Sequence, residues 1–325
     1  MMNHGCTYPT HIGEDGDGET VEKYLARRFP HDTLDGWEER LRNGEVTDEA
    51  DRPLALGTRL RAGQELFWHR PPRDEPGAPT VFRVIAEDAD FLAVDKPEGL
   101  PTLPGAGFLE NTLLFRVRER FPEAVPMHRL GRGTTGIVLF ARTQEARQVI
   151  QREWQAGRVS KTYLAVTSGI VPEKADIDVP IGLVPHPILG RIHAASKAGK
   201  PSQSHLRRLC VLSPAACRTQ QSQSPSPMSL AEVKIDTGRP HQIRIHTAAI
   251  GHPLWGDPLY LPGGLPAPDS RNVPGDTGYL LHAFRLAFRH PATGKDVELT
   301  VPPPLPRWEA VRLVMPELWQ ASETI

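Results

Sequence analysis

The glycine-rich segment 128–136, His-Arg-Leu-Gly-Arg-Gly-Thr-Thr-Gly, has the residue types of a ligand-binding turn. It contains a G-x-G-x-x-G string, which suggests a nucleotide-dependent oxidoreductase that holds a dinucleotide phosphate at a helix N-terminus. Such a fingerprint follows a strand and opens a helix, whereas here the strand-like Ile137–Phe140 comes after the glycines. We therefore expect no nucleotide cofactor, and interpret the glycines as a tight turn in which backbone approaches a ligand.

A second cluster of chemically useful residues is segment 237–246, Thr-Gly-Arg-Pro-His-Gln-Ile-Arg-Ile-His. Pro240 suits the first turn of a helix, on which Ile243, His246 and Ile250 would share a face. Arg239 and Arg244 offer planar, permanently charged donors for phosphate or carboxylate, although ordinary surface arginines would give the same pattern.

Tyr163 lies in the alternating segment Lys161-Thr162-Tyr163, which is typical of a strand. Its ring could stack on an unpaired base, or it could simply be part of the core. The histidines of the two clusters have no Asp, Glu or Cys at recognised ligand spacing, so we predict no metal site.

The elements around these clusters predict an α+β fold without regular strand–helix alternation. We expect a hairpin over Val84–Val94, a buried strand over Ile137–Ala141, a helix through Ala146 and Trp154 that ends at Gly157, and a strand over Val159–Thr167. The predicted organisation is a disordered tail (1–18), a small N-terminal module (19–70), a linker (71–80), a main domain (81–305) with a flexible insertion near 219–229, and a C-terminal helix or tail (306–325).

Charge is unevenly distributed although the formal net charge is −1. Residues 1–60 hold 13 acidic against 7 basic side chains, and residues 190–250 hold 9 basic against 2 acidic ones. The second segment suits a basic, anion-facing surface, or a solvated face without a partner. No apolar run has membrane-spanning length, and the N-terminus lacks the pattern of a leader, so we expect a cytoplasmic protein and, by default, a monomer.

Taken together, the clusters resemble the RluA-type RNA pseudouridine synthase family. The resemblance rests on the order of 94–100 (Val-Asp-Lys-Pro-Glu-Gly-Leu), 128–136, 161–163, 237–246, Gly251-His252-Pro253, Gly256-Asp257 and Leu280-Leu281-His282-Ala283, and it covers about residues 80–305. It implies a mixed, largely antiparallel sheet with flanking helices, and it implies that 19–70 is a small α/β RNA-binding-like module. The implied reaction isomerises uridine to pseudouridine in structured RNA, rRNA or tRNA, without cofactor or metal.

The resemblance also implies roles for individual residues. Tyr163 would stack on the uracil and Arg244 would pair with the catalytic carboxylate. Around them we expect a substrate-binding set that comprises Arg129, Leu130, Arg132, Lys161, Arg239, His241, Gln242, Ile243 and Leu281.

Gly131 departs from the family motif, which reads His-Arg-Leu-Asp and has its catalytic aspartate at this position. Two hypotheses follow: an active synthase that tolerates the change, or a catalytically silent RNA-binding homologue. Asp95, Asp236 and Asp257 are the acids nearest to the motifs and are the candidates to replace the missing carboxylate. Placing Asp at position 131 is expected to raise isomerase activity.

Overall fold

The computed structural model describes residues 2–30, 32–213 and 226–320. The chain divides into two compact units, Met1–Gly77 and Ala78–Ile325. Within the described ranges, no helix is both long enough and apolar enough to cross a bilayer.

The first unit packs two helices on a three-stranded antiparallel sheet of order β1-β3-β2. Its elements are β1 (Cys6–His11), α1 (Val21–Arg28), α2 (Leu34–Arg42), β2 (Val46–Thr47) and β3 (Glu65–Arg70), with a short 3-10 turn at Glu14–Gly16. Buried side chains that include Leu25, Trp37 and Leu66 form its core.

The predicted disordered tail, residues 1–18, is wrong. Strand β1 pairs along its whole length with β3, from Cys6 opposite Arg70 to His11 opposite Glu65. Ile12, which follows β1, is fully buried in the core of this unit. The polar residues of this segment give no local signal of a strand, because β1 is stabilised by pairing with β3, which lies far away in the sequence.

The second unit is built on a ten-stranded sheet. Its elements are β4 (Arg83–Glu87), β5 (Phe91–Lys96), α3 (Leu113–Arg118), β6 (Val125–Pro126), β7 (Thr135–Ala141), α4 (Gln144–Gln155), β8 (Ser160–Ser168), β9 (Lys174–Ile177), β10 (Ile181–His186), β11 (Gly190–Ala195), β12 (Ser204–Leu212), β13 (Met228–Ile235), α5 (Gln242–Ala249), β14 (Tyr260–Leu261), β15 (Leu265–Pro266), β16 (Leu281–Arg289), β17 (Asp296–Thr300) and α6 (Glu309–Val314), followed by a 3-10 turn at Pro316–Trp319.

The main path of the sheet has the order β4-β5-β7-β16-β8-β13-β12-β9; β6 pairs with β7 and β17 with β16. Only β7 and β16 run parallel among these described pairs. Strands β10–β11 and β14–β15 form two separate hairpins. The predicted α+β class with a largely antiparallel sheet is confirmed, and so is the hairpin of β4 with β5.

Both faces of the sheet are covered, because alternate residues of β5 and β7 belong to different core clusters. Val94 and Val138 belong to one cluster, and Ala93 and Leu139 belong to the other. Helix α4 begins where Thr143 accepts a hydrogen bond from the backbone N–H of Ala146. The first cluster also contains residues of the candidate site.

The predicted insertion near 219–229 lies largely outside the described residues, which stop at 213 and resume at 226. Its last two positions, Met228 and Ser229, are not an insertion, because they open β13 opposite Ser168 and Thr167 of β8. Both are buried.

Candidate active site

The glycine turn between β6 and β7 is held in place by hydrogen bonds to its backbone. Thr102 Oγ1 accepts from Leu130 N at 3.1 Å and donates to Leu130 O at 2.9 Å. Lys96, which is fully buried, donates through Nζ to the carbonyl of Arg132 at 3.2 Å and to two further carbonyls. Thr134 N donates to Gly131 O at 3.0 Å and closes the turn. The position of Gly131 is therefore fixed from both sides.

The side chain of Tyr279 occupies the space beside Gly131 and Gly133. A Cβ atom placed on Gly131 would lie 3.1 Å from Tyr279 Oη, and one on Gly133 would lie 3.0 Å from Tyr279 Cζ. Tyr279 Oη also forms a 3.3 Å hydrogen bond with Thr134 Oγ1. The first two glycines of the string therefore make room for an aromatic ring.

Gly136 has a different function, in the sheet. Its φ of +104° is a conformation that L side chains rarely adopt, and a Cβ there would lie 2.3 Å from Ala283 O on β16. The third glycine thus allows β7 and β16 to approach where they run parallel.

Helix α5 presents Arg244 and begins later than the sequence predicts. His241 has a left-handed φ of 56°, so the helix runs from Gln242 to Ala249. Pro240 therefore precedes the helix, and Ile250 follows it as the C-cap. Gln242 ties the preceding loop to the helix, since its Oε1 accepts from Arg239 N at 3.0 Å and from Thr237 Oγ1 at 2.7 Å.

Arg244 has a carboxylate partner, and that partner is Asp257. Its Nε and Nη2 donate to the two oxygens of Asp257 at 2.7 and 2.8 Å, and Nη1 donates to Pro274 O at 2.8 Å. The side chains are 3% and 0% exposed. The expectation that Arg244 pairs with a carboxylate in the glycine turn does not apply to this chain. The Arg244 guanidinium is instead neutralised by Asp257, and it lies 4.3 Å from the Tyr279 ring centre.

Tyr163 on β8 faces the same space as Gly131 and Arg244. It is 8% exposed, and burial raises the pKa of its hydroxyl to about 12. Leu130, Ile243 and Leu281 belong with it to one apolar cluster. These residues make an apolar wall suited to a flat ring.

His241 is held in one orientation at the rim. Tyr260 Oη donates to His193 O at 2.8 Å, so it accepts the proton of His241 Nδ1 across 2.7 Å. Burial, together with the charge of Arg244, lowers the pKa of His241 to about 3. The imidazole is therefore neutral at physiological pH and offers Nε2 as an acceptor.

One cavity of about 120 Å³ collects these side chains. That is roughly ten times the 10–15 Å³ that a single water molecule needs. Its lining comprises Arg129, Leu130, Gly131, Thr134, Tyr163, Ile235, Gly238, Arg239, His241, Gln242, Ile243, Arg244, Tyr279 and Leu281. None of these lining residues is acidic, so the cavity combines an apolar wall with an excess of positive charge.

Two predicted substrate-binding residues do not line this cavity. Arg132 donates through Nε to Gly275 O at 2.7 Å and packs on Phe108. Lys161 is buried, with its ammonium 5.5 Å from the ring centre of Trp154. Both stabilise the surroundings of the site in this structure.

The three acids that sequence reasoning left as substitutes also lie outside the lining. Asp95 pairs with Arg83 at 3.7 Å, and Asp236 binds His205. Asp257 has both oxygens occupied, because Leu259 N and Tyr260 N donate to it in addition to Arg244. None of the three has an atom within 4 Å of a Cβ placed on Gly131, so none of them replaces the family carboxylate at that position.

A possible metal-binding group lies elsewhere among the described residues, at Asp88, Asp90 and His290. Asp88 Oδ1 accepts from the backbone N–H of Asp90 and Phe91, and Oδ2 is 2.6 Å from His290 Nε2. These bonds are those of a turn closed by a side chain.

Sequence reasoning missed Tyr279, Thr134, Ile235 and Gly238 as lining residues. Thr134 lies inside the glycine segment and could have been included on that ground. Tyr279 directly precedes the Leu-Leu-His-Ala motif, and its contact with Gly131 depends on the pairing of β16 with β7.

Comparison with known proteins indicates the family to which the chain belongs. The model of a family described as RNA pseudouridylate synthase matches residues 90–249. An uncharacterised RNA pseudouridine synthase of Synechocystis is 40% identical over 285 residues, which cover 86% of this chain and 93% of that protein. A ribosomal large subunit pseudouridine synthase D of Pseudomonas aeruginosa is 32% identical over 94% of this chain and 93% of its own length.

A solved structure of human RNA pseudouridylate synthase domain containing 1 superposes with a TM-score of 0.54 at 25% identity, over 78% of this chain and all of that one. This chain belongs to the RNA pseudouridylate synthase family. The predicted family and its class of reaction, an isomerisation of uridine in RNA, are thereby confirmed.

Proposed function

We propose that this protein isomerises uridine to pseudouridine in structured RNA, with ribosomal RNA ahead of transfer RNA as the substrate. The observation that carries the proposal is the convergence of Tyr163, Arg244 and the Gly131 turn on one cavity. Ribosomal RNA comes first because a relative similar over nearly the whole chain is named for the large ribosomal subunit. A cytoplasmic location and a monomeric state stay predictions from the sequence.

The cavity supplies what an extruded uridine requires. A base that leaves its stack loses contacts worth a few kcal/mol, which an aromatic wall such as Tyr163 restores in part. Arg129 and Arg239 lie at the lining with permanent positive charge, as contact with a phosphate backbone requires. Arg244 keeps its place through Asp257 and so faces the base already oriented.

Tritium release tests the proposal. RNA that carries tritium at uridine C5 is incubated with the purified protein, since a new bond at C5 must expel the hydrogen there. The separate substrates are ribosomal and transfer RNA, each labelled in this way and taken from cells that lack the gene. Wild type is expected to release tritium from the ribosomal RNA, and Tyr163→Leu, which removes the aromatic ring that stacks on the base, is expected to lose most of that release.

Tyr24→Leu is the matched control, because it removes the ring of a buried tyrosine in the first unit, outside the cavity lining. It is expected to behave as wild type. No release from any RNA that the protein demonstrably binds would contradict the proposal.

A second function, RNA binding without catalysis, has its own observation in its favour. No lining residue carries a carboxylate, so the group that the family uses at position 131 has no acidic replacement in the cavity. This alternative predicts tight RNA binding, protection of a defined RNA segment, and no tritium release. The same experiment therefore separates the two functions.

A further inference from the structure

Tyr279 places a hydroxyl beside position 131, where the family motif has its aspartate. Its Oη lies 3.1 Å from the position of a Cβ on Gly131, and the residue lines the cavity. A side chain at position 131 would therefore displace this oxygen if the backbone kept its present path. Tyr279, which lies two residues before β16, therefore supplies a phenol at the position where the turn itself supplies no side chain.

The hydroxyl is held on three sides. Cβ atoms placed on Gly131 and Gly133 would lie 3.0 to 3.1 Å from Oη and the ring, Thr134 Oγ1 hydrogen-bonds Oη at 3.3 Å, and the Arg244 guanidinium lies 4.3 Å from the ring centre. The ring is 1% exposed. A group fixed in this way loses little freedom when it meets a substrate, as acid–base catalysis requires.

Resting on the proposed function, we propose that the Tyr279 hydroxyl replaces the family aspartate as the acid–base residue of this site. Of the two hydroxyls within 4 Å of a Cβ placed on Gly131, those of Tyr279 and Thr134, the Tyr279 hydroxyl is the titratable one, and the residue lines the cavity. Tyr163, on β8, serves as the stacking surface.

The proton balance of the isomerisation closes with one phenol. As the N1–C1′ bond breaks, its electron pair goes to the uracil, and the phenol gives its proton to the uracil at N1. The base turns, and the C5–C6 π electrons form the C5–C1′ bond. The phenolate then takes the proton from C5, so the phenol is restored and no further reactant is consumed.

The surroundings of Tyr279 support both halves of this cycle. Burial raises its pKa, so the hydroxyl carries its proton at neutral pH. The Arg244 charge opposes that rise and therefore stabilises the phenolate when it forms. Asp257 holds Arg244 in this position, which makes Asp257 a positioning residue.

Four variants of the full-length protein test the proposal: Tyr279→Phe, Tyr24→Phe, Gly131→Asp and the double variant Gly131→Asp/Tyr279→Phe. Each is assayed for tritium release and for RNA affinity, and its folding is checked by circular dichroism. Tyr279→Phe is expected to lose at least about 100-fold in kcat with RNA affinity within about twofold of wild type. Tyr24→Phe is expected to match wild type in all three measurements.

The exchange of residues gives the second readout. Gly131→Asp alone introduces a side chain against Tyr279 Oη, so we expect it to be less active than the double variant, in which that oxygen is absent. The gain predicted from the sequence for an aspartate at 131 therefore requires the second change. Recovery of at least about tenfold over Tyr279→Phe also shows that the pocket without the hydroxyl is folded.

The outcomes separate this inference from the proposed function. Active wild type with Tyr279→Phe within about threefold of it overturns the role of Tyr279 and leaves the proposed function standing. A folded double variant that stays as inactive as Tyr279→Phe also counts against the replacement. A wild type that binds RNA and never releases tritium overturns both.

Discussion

Asp257→Asn is expected to destabilise the protein strongly, because it removes the charge that faces a buried guanidinium. The Asp257 side chain is 0% exposed and accepts four hydrogen bonds, two from Arg244 and two from backbone N–H groups. An asparagine keeps the shape but has one acceptor oxygen and no charge. Arg244, 3% exposed, would be left without a counter-charge.

Breaking a buried ion pair from one side costs about 3 to 5 kcal/mol. The middle of that range applies here, since the Arg244 guanidinium lies against the Tyr260 and Tyr279 rings. We therefore expect Asp257→Asn to lower the free energy of unfolding by about 4 kcal/mol in urea denaturation followed by circular dichroism.

Asp276→Asn is the matched control. Asp276 also faces an arginine, Arg132, but at 3.8 Å with its side chain 33% exposed. An ion pair with this exposure to water contributes at most about 1 kcal/mol to the free energy of unfolding. If Asp257→Asn costs no more than the control, the guanidinium is hydrated in solution, and the reasoning about a closed pair is refuted.

Three further outcomes are expected. Lys96→Met removes a buried ammonium that donates to three carbonyls, so unfolding free energy should fall by about 2 to 4 kcal/mol; exposed Lys295→Met should have little effect, and equal losses would contradict this. Burial lowers the pKa of His282 to about 4, below the value of about 6.5 in the unfolded chain. The contribution of neutral His282 to the free energy of unfolding is therefore fully present above about pH 6.5, and it is lost at up to about 1.4 kcal/mol per pH unit as the pH falls toward about 4. His282→Asn should flatten that slope in urea titrations at several pH values; an unchanged slope would count against it. RNA affinity should fall with salt, and Arg129→Gln or Arg239→Gln should each reduce the slope of log affinity against log salt by about 1, whereas a slope that neither change alters would exclude phosphate contacts.

The sequence predicted those parts of the fold that local patterns determine. The hairpin of β4 with β5 was predicted over Val84–Val94, and the helical spacing of apolar residues before Gly157 predicted α4. Strand β1 was missed because its stability comes from pairing with β3, about sixty residues away. Local polarity carries no record of such a partner.

The candidate site shows the same division. The family resemblance of the motifs predicted that Tyr163 and Arg244 belong to one site, and both line the cavity. They did not predict that Asp257 binds Arg244 or that Tyr279 fills the space beside Gly131. Both contacts join separate segments of the chain, and Tyr279 is 145 positions from its hydrogen-bond partner Thr134.

Mapping of pseudouridine in RNA from cells with and without the gene tests the central claim most directly. Ribosomal and transfer RNA are compared between a deletion strain and the same strain complemented with wild type or with Tyr163→Leu, which lacks the stacking ring. The account predicts that at least one pseudouridine disappears on deletion, returns with wild type, and stays absent with Tyr163→Leu. An identical pseudouridine map in all strains would contradict the claim that this protein modifies RNA.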